Sequence, residues 1–342
     1  MKPINADSCV YCDESKSTLA LAYVDDIIFA SRNDTNIKRL KEELAKRFTI
    51  KDLGNARYCL GIEIDRDRKG IHLSQSGYIR DVLKKFGMSD CKPVRTPFET
   101  GIKLHDNNDL DADNAQVSYR ELIGSLMYLA QGTRPDIAHA VSSLSQWNTS
   151  FKKIHWTCAK RVLRYLKGTI NHGLHYTKSG KNLIGYTDAD WGSCSLDRRS
   201  YTGSVFLLAN AAISWESRKQ KTVALSSTEA EYAALSDAAR EAIHLSRLLS
   251  EIDSPTLSKI TLHNDNQAAA KLAVNPVFHS RSKHIDIKCH FIRQALVDHR
   301  MDLVYTCTED MIADVLTKAL SSEKHAFCFN GMGIKDINVT RV

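Results

Sequence analysis

The stretch LIGYTDADW at residues 183–191 decides how the second half of this chain folds. Its apolar first half, Leu183 to Thr187, predicts a strand, and Asp188 follows directly where that strand ends. Farther along, a long amphipathic helix is predicted from Thr228 to about Glu251.

The remaining elements around this stretch alternate between strands and helices. The strands are predicted at 203–208, 212–215, 260–263 and 303–306, and the helices at 267–274, 285–300 and 312–320. This order is typical of an α/β unit with a mixed sheet, which we place at residues 180–325. We therefore expect a mixed five-stranded sheet with flanking helices, followed by a C-terminal tail at 326–342.

Upstream, the stretch TLALAYVDDIIF at residues 18–29 sets two aspartates between apolar, β-rich runs. It predicts a hairpin that presents Asp25 and Asp26 at its tip. A helix, a second hairpin and a short helix complete a first unit, predicted at residues 1–88. Residues 89–117 are polar and contain prolines, which predicts an exposed linker, and three amphipathic helices follow within 118–176.

Composition narrows the class of protein. The chain has 342 residues, of which 43% are hydrophobic, enough for about two domains with their own cores. Its net charge of +7 permits a polyanionic partner without requiring one. No apolar run is long enough to cross a membrane, and no signal peptide is visible at the N-terminus. Nine cysteines, an odd number, predict reduced thiols and an intracellular protein.

Four acidic residues in the second half fall where predicted strands end or helices begin: Asp188, Glu231, Asp265 and Asp314. Each alone has a structural explanation, as a turn residue, a capping-box partner of Thr228, a helix cap or a charge on the helix dipole. A mixed sheet can instead gather them at one edge, where they would repel one another unless divalent cations were bound. Carboxylate oxygens suit Mg²⁺ or Mn²⁺, and two such ions serve phosphodiester cleavage.

The order of YTDADW, STEAEYAAL, HNDNQAA and ADVLTKAL resembles the ribonuclease H domain of copia-type retrotransposon polyproteins, over about residues 183–320. The resemblance implies a ribonuclease H-like fold that cuts RNA paired with DNA, using two Mg²⁺ (or Mn²⁺) ions. It also implies that the catalytic, metal-binding residues are Asp188, Glu231, Asp265 and Asp314.

Two assignments within this resemblance stay open. Asp190 is an alternative to Asp188, because residues two apart on a strand share a face. Cellular ribonucleases H carry a mobile histidine shortly before the last aspartate, and the stretch YTCTEDMIA has none. His290 and His299 are the candidates to replace it.

The motif YVDD at residues 23–26 resembles the palm hairpin of reverse transcriptases. The resemblance implies that Asp25 and Asp26 bind metal ions. The stretches 54–88 and 119–141 resemble the primer-grip hairpin and the thumb helices that follow it in copia-type polymerases. No motif before Asp25 matches the third palm carboxylate or the fingers, so we expect a partial palm and thumb that does not extend a primer.

Basic segments surround the predicted acidic site. The candidates for gripping nucleic-acid phosphates are Arg218, Lys219, Lys221, Arg281, Lys283, Lys288 and Arg293. A solvated basic face is the alternative explanation for these residues.

The sequence therefore predicts part of a copia-type Pol polyprotein, a ribonuclease H preceded by an incomplete reverse transcriptase. The expected partners are an RNA–DNA hybrid and either the rest of the polyprotein or a second copy, with no membrane involved. The expected locations are cytoplasmic virus-like particles, the nucleus, or both. A non-enzymatic nucleic-acid-binding or assembly module is the alternative function. An integrase is disfavoured by the motif spacing and by the polymerase-like sequence upstream.

Overall fold

The computed structural model describes residues 1–105, 116–180, 182–194, 196–252, 260–274, 283–298 and 301–340. The strands are β1 Lys2–Pro3, β2 Val10–Cys12, β3 Thr18–Tyr23, β4 Asp26–Ser31, β5 Tyr58–Cys59, β6 Ile62–Arg66, β7 Gly70–Ser74, β8 His172–Thr177, β9 Ile184–Asp190, β10 Tyr201–Leu208, β11 Ala211–Lys219, β12 Ile260–Asn264, β13 Met301–Tyr305 and β14 Ile334–Asp336. The α-helices are α1 Asp34–Ala45, α2 Ser76–Lys85, α3 Gln116–Gly132, α4 Ala138–Ser145, α5 Lys153–Gly168, α6 Ser227–Ile252, α7 Gln267–Val274, α8 Lys283–Asp298, α9 Ser322–Gly331 and α10 Ile337–Thr340. Short 3₁₀ helices span Pro135–Ile137, Thr308–Asp310 and Ile312–Leu316.

The second half of the chain forms the predicted mixed five-stranded sheet, in the order β11-β10-β9-β12-β13. β9, β10 and β11 pair antiparallel, whereas β12 runs parallel to both β9 and β13. Neighbouring residues of β10 point to opposite faces: Phe206 packs in the core with α6, and Val205 packs with the 3₁₀ helix Ile312–Leu316. Both faces of the sheet are covered, and the predicted fold class is confirmed.

The predicted Asp25–Asp26 hairpin is also present. β3 and β4 pair antiparallel with Tyr23 opposite Asp26, so that Val24 and Asp25 form the turn. Val24 takes a positive φ of 51°, and its side chain is exposed. These strands belong to a four-stranded sheet in the order β1-β2-β3-β4.

Helices α2 to α5 form a unit with one continuous apolar core, which we call the helical unit. Its centre includes Leu83 of α2, Leu122 of α3 and Leu163 of α5, all buried. Phe98, from the predicted linker, is buried in the same core. The structure therefore differs from the predicted boundaries at 88 and 117, because α2 and part of the linker pack with the helices that follow. Residues 106–115 of that linker lie outside the described residues.

A further five-stranded sheet, in the order β14-β8-β7-β6-β5, joins distant parts of the chain and is called the shared sheet below. β8 pairs with β7 on one side and with β14 on the other. The sequence predicts neither β8 nor β14, and it describes residues 326–342 as a tail. That description is wrong for residues 334–336, which are a paired strand with Ile334 buried.

The last predicted helix, 312–320, also differs from the structure. The chain forms a 3₁₀ helix over Ile312–Leu316, turns at Thr317, and begins a separate helix, α9, at Ser322. Ser321 caps α9 by accepting a hydrogen bond from the Lys324 backbone N–H at 3.3 Å. In the described part of the chain, no helix combines the length and the apolar character needed to cross a membrane.

Candidate active site

Three of the predicted carboxylates meet at one edge of the mixed sheet. Asp188 lies near the end of β9, Asp265 directly follows β12, and Asp314 lies on the 3₁₀ helix Ile312–Leu316. β9 and β12 are parallel neighbours with Thr187 opposite Asn264, so the aspartates that follow these two residues come side by side. One oxygen from each aspartate lies within 4.8 Å of the others. We call these three residues the carboxylate cluster; Asp188 and Asp314 are buried and Asp265 is half-buried.

Glu231 lies beside the cluster, near the start of α6, and is buried. Its Oε1 accepts a hydrogen bond from the Ala189 backbone N–H at 3.2 Å. Its Oε2 accepts one from Asn264 Nδ2 at 3.1 Å. Glu231 is therefore held between β9 and β12. Burial, followed by the charges of Asp188 and Asp265, raises the pKa of Glu231 well above its usual range.

A glycine opposite Asp188 allows the 3₁₀ helix to approach the sheet. Gly203 on β10 pairs with Asp188 on β9. A methyl group at Gly203 would lie 2.7 Å from Leu316 Cβ, 2.8 Å from Thr317 Cγ2 and 3.2 Å from the Ala313 carbonyl oxygen. The missing side chain therefore makes the room in which Asp314 reaches the other two aspartates.

Two lysines contact the cluster. The Lys318 Nζ lies 2.8 Å from Asp314 Oδ1 and 3.5 Å from Asp188 Oδ2, between two of the three carboxylates. The Lys324 Nζ lies 3.2 Å from Asp314 Oδ2, on the other side of the same carboxylate. The Thr317 hydroxyl also donates a hydrogen bond to Asp188 Oδ2.

Electrostatics at the cluster favour a bound cation. Burial raises the pKa of Asp188 to about 6, although Lys318 acts in the opposite direction. Burial alone would lower the pKa of Lys318, but the charges of Asp188 and Asp314 raise it above its usual range. The two ammonium groups therefore stabilise the cluster without compensating the charge of all three aspartates.

The donor set fits a hard divalent cation. The cluster offers several carboxylate oxygens at one sheet edge, and such ligands suit Mg²⁺ and Mn²⁺. Among the described residues, no other group of three or more histidine, cysteine, aspartate or glutamate side chains comes as close together.

Of the alternatives that the sequence leaves open, Asp190 is the one with a described side chain. Asp190 is half-buried on β9, its pKa is raised by burial, and it is not part of the cluster. His290 lies on α8, but its side chain is outside the described part of the structure, as is all of His299.

In the described part of the chain, the Asp25–Asp26 pair does not form a comparable cluster. Both side chains are exposed at the hairpin tip. Within the described ranges, neither belongs to a group of three metal-ligating side chains.

The basic residues that are predicted to bind nucleic acid differ in their ion pairs and in their exposure. Arg218 is paired with Glu216 and Asp237, each at 2.7 Å. Lys219 is paired with Asp197 at 2.8 Å. Lys221 is exposed, and Arg293 is half-buried on α8. Arg281 and the side chains of Lys283 and Lys288 lie outside the described residues.

The sequence does not predict the two lysines or Gly203 as parts of the site. Lys318 follows Asp314 by four residues inside the motif ADVLTKAL, so its spacing was a usable signal for an ion pair. Lys324 belongs to no motif, and only the packing of α9 brings it to Asp314. Gly203 carries no signal of close approach in its local sequence.

Several known proteins are similar to this chain in sequence. The reverse transcriptase (RNA-dependent DNA polymerase) family matches residues 1–100. The chain is 39% identical to the retrovirus-related Pol polyprotein from transposon TNT 1-94 of Nicotiana tabacum, over 96% of this chain and 26% of that polyprotein. It is 34% identical to a transposon Ty5-1 protein of Saccharomyces cerevisiae, over 64% of this chain and 72% of that protein.

Among solved structures, LC11-RNase H1 in complex with an RNA/DNA hybrid matches 40% of this chain and 94% of its own. The identity is 16% and the TM-score is 0.31. The chain spans between 21% and 26% of the length of three plant Pol polyproteins that it matches.

Proposed function

This chain belongs to the Pol polyprotein family of Ty1/copia-type retrotransposons, and we propose that its mixed-sheet unit is a ribonuclease H. Its substrate is the RNA strand of an RNA–DNA hybrid, and its cofactors are two Mg²⁺ or Mn²⁺ ions. The observation that carries this proposal is the carboxylate cluster: three aspartates from distant parts of the chain with oxygens within 4.8 Å, beside buried Glu231.

Neighbouring residues perform the capping roles that could otherwise explain Glu231 and Asp265. At the start of α6, the Ser226 Oγ accepts a hydrogen bond from the Glu229 N–H, and Glu229 accepts one from the Leu225 N–H, so Glu231 is not the capping residue. At the start of α7, the Asn266 side chain accepts a hydrogen bond from the Ala269 N–H at 2.9 Å, so Asn266 performs the capping role that was the alternative explanation for Asp265. This favours a nuclease over the alternative, a binding module whose acids persist as caps.

Each acidic residue has a distinct place in the proposed reaction. Asp188, Asp265 and Asp314 would hold the metal ions, with Glu231 completing the set from α6. When bound, the ions supply Lewis acidity that favours hydrolysis of a phosphodiester. The Thr317 hydroxyl orients Asp188 from the side of the 3₁₀ helix, and the Ala189 and Asn264 donors fix Glu231.

Binding of the hybrid is assigned to the basic residues whose charge is not already used within the protein. Lys221 is exposed, whereas Lys219 forms an ion pair with Asp197. We therefore place a phosphate contact at Lys221, and we assign Arg218 and Lys219 to internal ion pairs.

For the polymerase motif, we propose that Asp25 and Asp26 do not support primer extension by this chain. Two exposed carboxylates that have no third metal-ligating side chain close by among the described residues make a weak metal site. Incorporation of nucleotides on a primed template by the purified chain would overturn this proposal.

The nuclease proposal is tested with an RNA–DNA hybrid in the presence of Mg²⁺. Asp265→Asn removes one ligand charge at nearly constant size, and we expect cleavage to fall by at least about 100-fold. Asp81→Asn, at an exposed position on α2, is the matched control and should cleave like the unaltered chain. Absence of cleavage by the unaltered chain, or equal cleavage by Asp265→Asn, would refute the mechanism.

A further inference from the structure

We propose that Lys324, which lies outside every sequence motif, is a positioning residue of the nuclease site. Resting on the proposed function, the inference assigns Lys324 to hold Asp314 so that one carboxylate oxygen remains available for a metal ion. It also makes α9 a part of the nuclease, although the sequence places most of that helix in a tail.

Lys324 is fixed from several directions. Its Nζ donates to the Thr308 carbonyl oxygen at 2.7 Å and to the Glu309 carbonyl oxygen at 2.6 Å. It also pairs with Asp314 Oδ2 at 3.2 Å and lies 5.1 Å from the centre of the Phe327 ring. An ammonium group has three protons, and these three oxygens use all of them. The ammonium is therefore held in place by partners of its own.

Lys318 differs in this respect. Its described ion pairs are both with the cluster, to Asp314 Oδ1 and Asp188 Oδ2. A metal ion bound by those oxygens must compete with the Lys318 ammonium, because both need the same negative charge. Lys324 contacts the opposite oxygen, Oδ2, and two carbonyls that no metal ion at the cluster would need.

The two oxygens of Asp314 are thereby assigned different roles. Oδ1 faces Lys318, on the side of Asp188, and Oδ2 faces α9. Fixing Oδ2 stops the carboxylate from rotating, so that Oδ1 is presented to the cluster whether or not Lys318 is displaced. Such orienting partners typically change metal affinity by 10- to 100-fold when they are removed.

Contacts of α9 with other parts of the molecule fix the position of Lys324. The next residue, His325, is buried, its Nε2 lies 3.3 Å from the Asp136 carbonyl oxygen, and its ring packs edge-on against Tyr165 at 5.3 Å. At the other end of α9, Gly331 packs closely against Ile312, at the start of the 3₁₀ helix that carries Asp314. The helix is thus fixed between the helical unit and the active-site segment.

The test is calorimetric titration of Mn²⁺ into the full chain and its variants. Lys324→Met is expected to weaken Mn²⁺ binding about 10-fold, while Lys324→Arg keeps the charge and stays within about threefold. Lys318→Met should change affinity in the opposite direction, because it removes the competing ammonium. Lys335→Met, at an exposed position on β14, is the matched control and should bind like the unaltered chain.

Where Lys324→Met does not fold, Lys324→Gln replaces it, since its uncharged amide keeps N–H donors on a side chain one bond shorter. Cleavage of the hybrid by Lys324→Met or Lys324→Gln should show a lower kcat with an unchanged KM. Unchanged Mn²⁺ affinity in these variants, or a loss equal to that of Lys335→Met, would overturn the role of Lys324.

A metal-free measurement separates this inference from the nuclease proposal. In EDTA, the melting temperatures of the unaltered chain, Lys324→Met, Asp314→Asn and the double variant are compared in a double-mutant cycle. We expect the double variant to lose less than the sum of the single losses, because both changes break the same contact. Additive losses would overturn the contact between Lys324 and Asp314, whereas failure of the unaltered chain to cleave a hybrid would overturn only the nuclease function.

Discussion

At the scale of single residues, the site stores unfavourable charge that a metal ion can relieve. Asp188 is 1% exposed, and the Lys318 ammonium near it is shared with Asp314. Glu231, also buried, adds a further acidic group next to Asp188. Keeping these acids together therefore lowers the stability of the folded protein, which is expected of a binding site rather than of a stabilising polar core.

This cost predicts a pH-dependent effect of Asp188→Asn in the absence of metal. The pKa of Asp188 is raised from 3.8 to about 6, so the folded protein binds the proton more tightly than the unfolded chain does. The stability from this group is fully present below about pH 4 and is lost as the pH rises through 6. Asn carries no charge and avoids the loss, so the variant should be more stable at pH 7.5 by roughly 2 to 3 kcal/mol.

The measurement is thermal or urea unfolding in EDTA between pH 4.5 and 8. The stability gap between Asp188→Asn and the unaltered chain should narrow as the pH falls. A gap that widened toward acid, or equal stabilities at pH 7.5, would contradict the burial of an ionised Asp188. With saturating Mn²⁺ the order should reverse, because the variant lacks a ligand.

At the scale of elements, the site depends on how closely the 3₁₀ helix Ile312–Leu316 packs on the mixed sheet. Gly203→Ala would place a methyl group 2.7 Å from Leu316 Cβ and 3.2 Å from a backbone carbonyl oxygen, so the whole helix must shift. We expect a loss of about 1 to 3 kcal/mol, as for other overpacked sites, together with weaker Mn²⁺ binding through displacement of Asp314.

Gly124→Ala is the matched control for this prediction. Gly124 lies on α3, and a methyl group there would meet no atom within 4 Å. Alanine favours the helix, so this variant should be more stable by up to about 1 kcal/mol. Chemical denaturation and Mn²⁺ titration of both variants check the pair, and equal behaviour of the two would contradict the role of Gly203.

The sequence predicted the elements that carry their own signal. The apolar run before Asp188 and the periodicity of α6 are local features, and both elements form as expected. β8 and β14 were missed because they become strands through distant partners: Leu174 pairs with Leu73 on one side and with Ile334 on the other. No local pattern reports such a pairing.

The same reasoning applies within the site. Asp188, Asp265 and Asp314 were predicted to meet because strand ends and helix starts can be read from periodicity, and the structure brings them together. The helix predicted over 312–320 ends early because Thr317 turns to donate its hydroxyl to Asp188, a contact with a residue far away in the sequence. Lys324 reaches the site only because α9 is folded back by this turn.

At the scale of the whole molecule, the parts that the sequence separates are structurally joined. The shared sheet takes strands from the second predicted hairpin, from the segment after α5 and from the C-terminal end. Trp215 on β11 donates from its indole N–H to the Ala130 carbonyl oxygen on α3 at 2.7 Å, joining the mixed sheet to the helical unit. A domain boundary drawn at a polar stretch of sequence therefore cuts through packed structure.

A buried ion pair lies at the centre of this joined arrangement. Arg134 and Asp136 have fully buried side chains, and two hydrogen bonds of 2.7 and 2.9 Å connect the guanidinium to the carboxylate. The Tyr165 hydroxyl donates to the same carboxylate at 2.6 Å. Burial alone would raise the pKa of Asp136, but the Arg134 charge and these hydrogen bonds outweigh it and lower the pKa.

Asp136→Ala should therefore destabilise the molecule by about 3 to 5 kcal/mol, because it leaves the Arg134 charge buried without its partner. Asp81→Ala, on the exposed face of α2, is the matched control and should change stability by less than about 0.5 kcal/mol.

Since the Asp136 pKa is lowered, the ion pair contributes fully above the unfolded value of about 3.9 and loses its contribution as the pH falls through the folded pKa. Urea denaturation from pH 7.5 to pH 3 measures this: the gap between Asp136→Ala and the unaltered chain should stay constant down to about pH 4 and then narrow. A small gap at neutral pH, or one that grows in acid, would contradict the stabilising role of the Arg134–Asp136 pair.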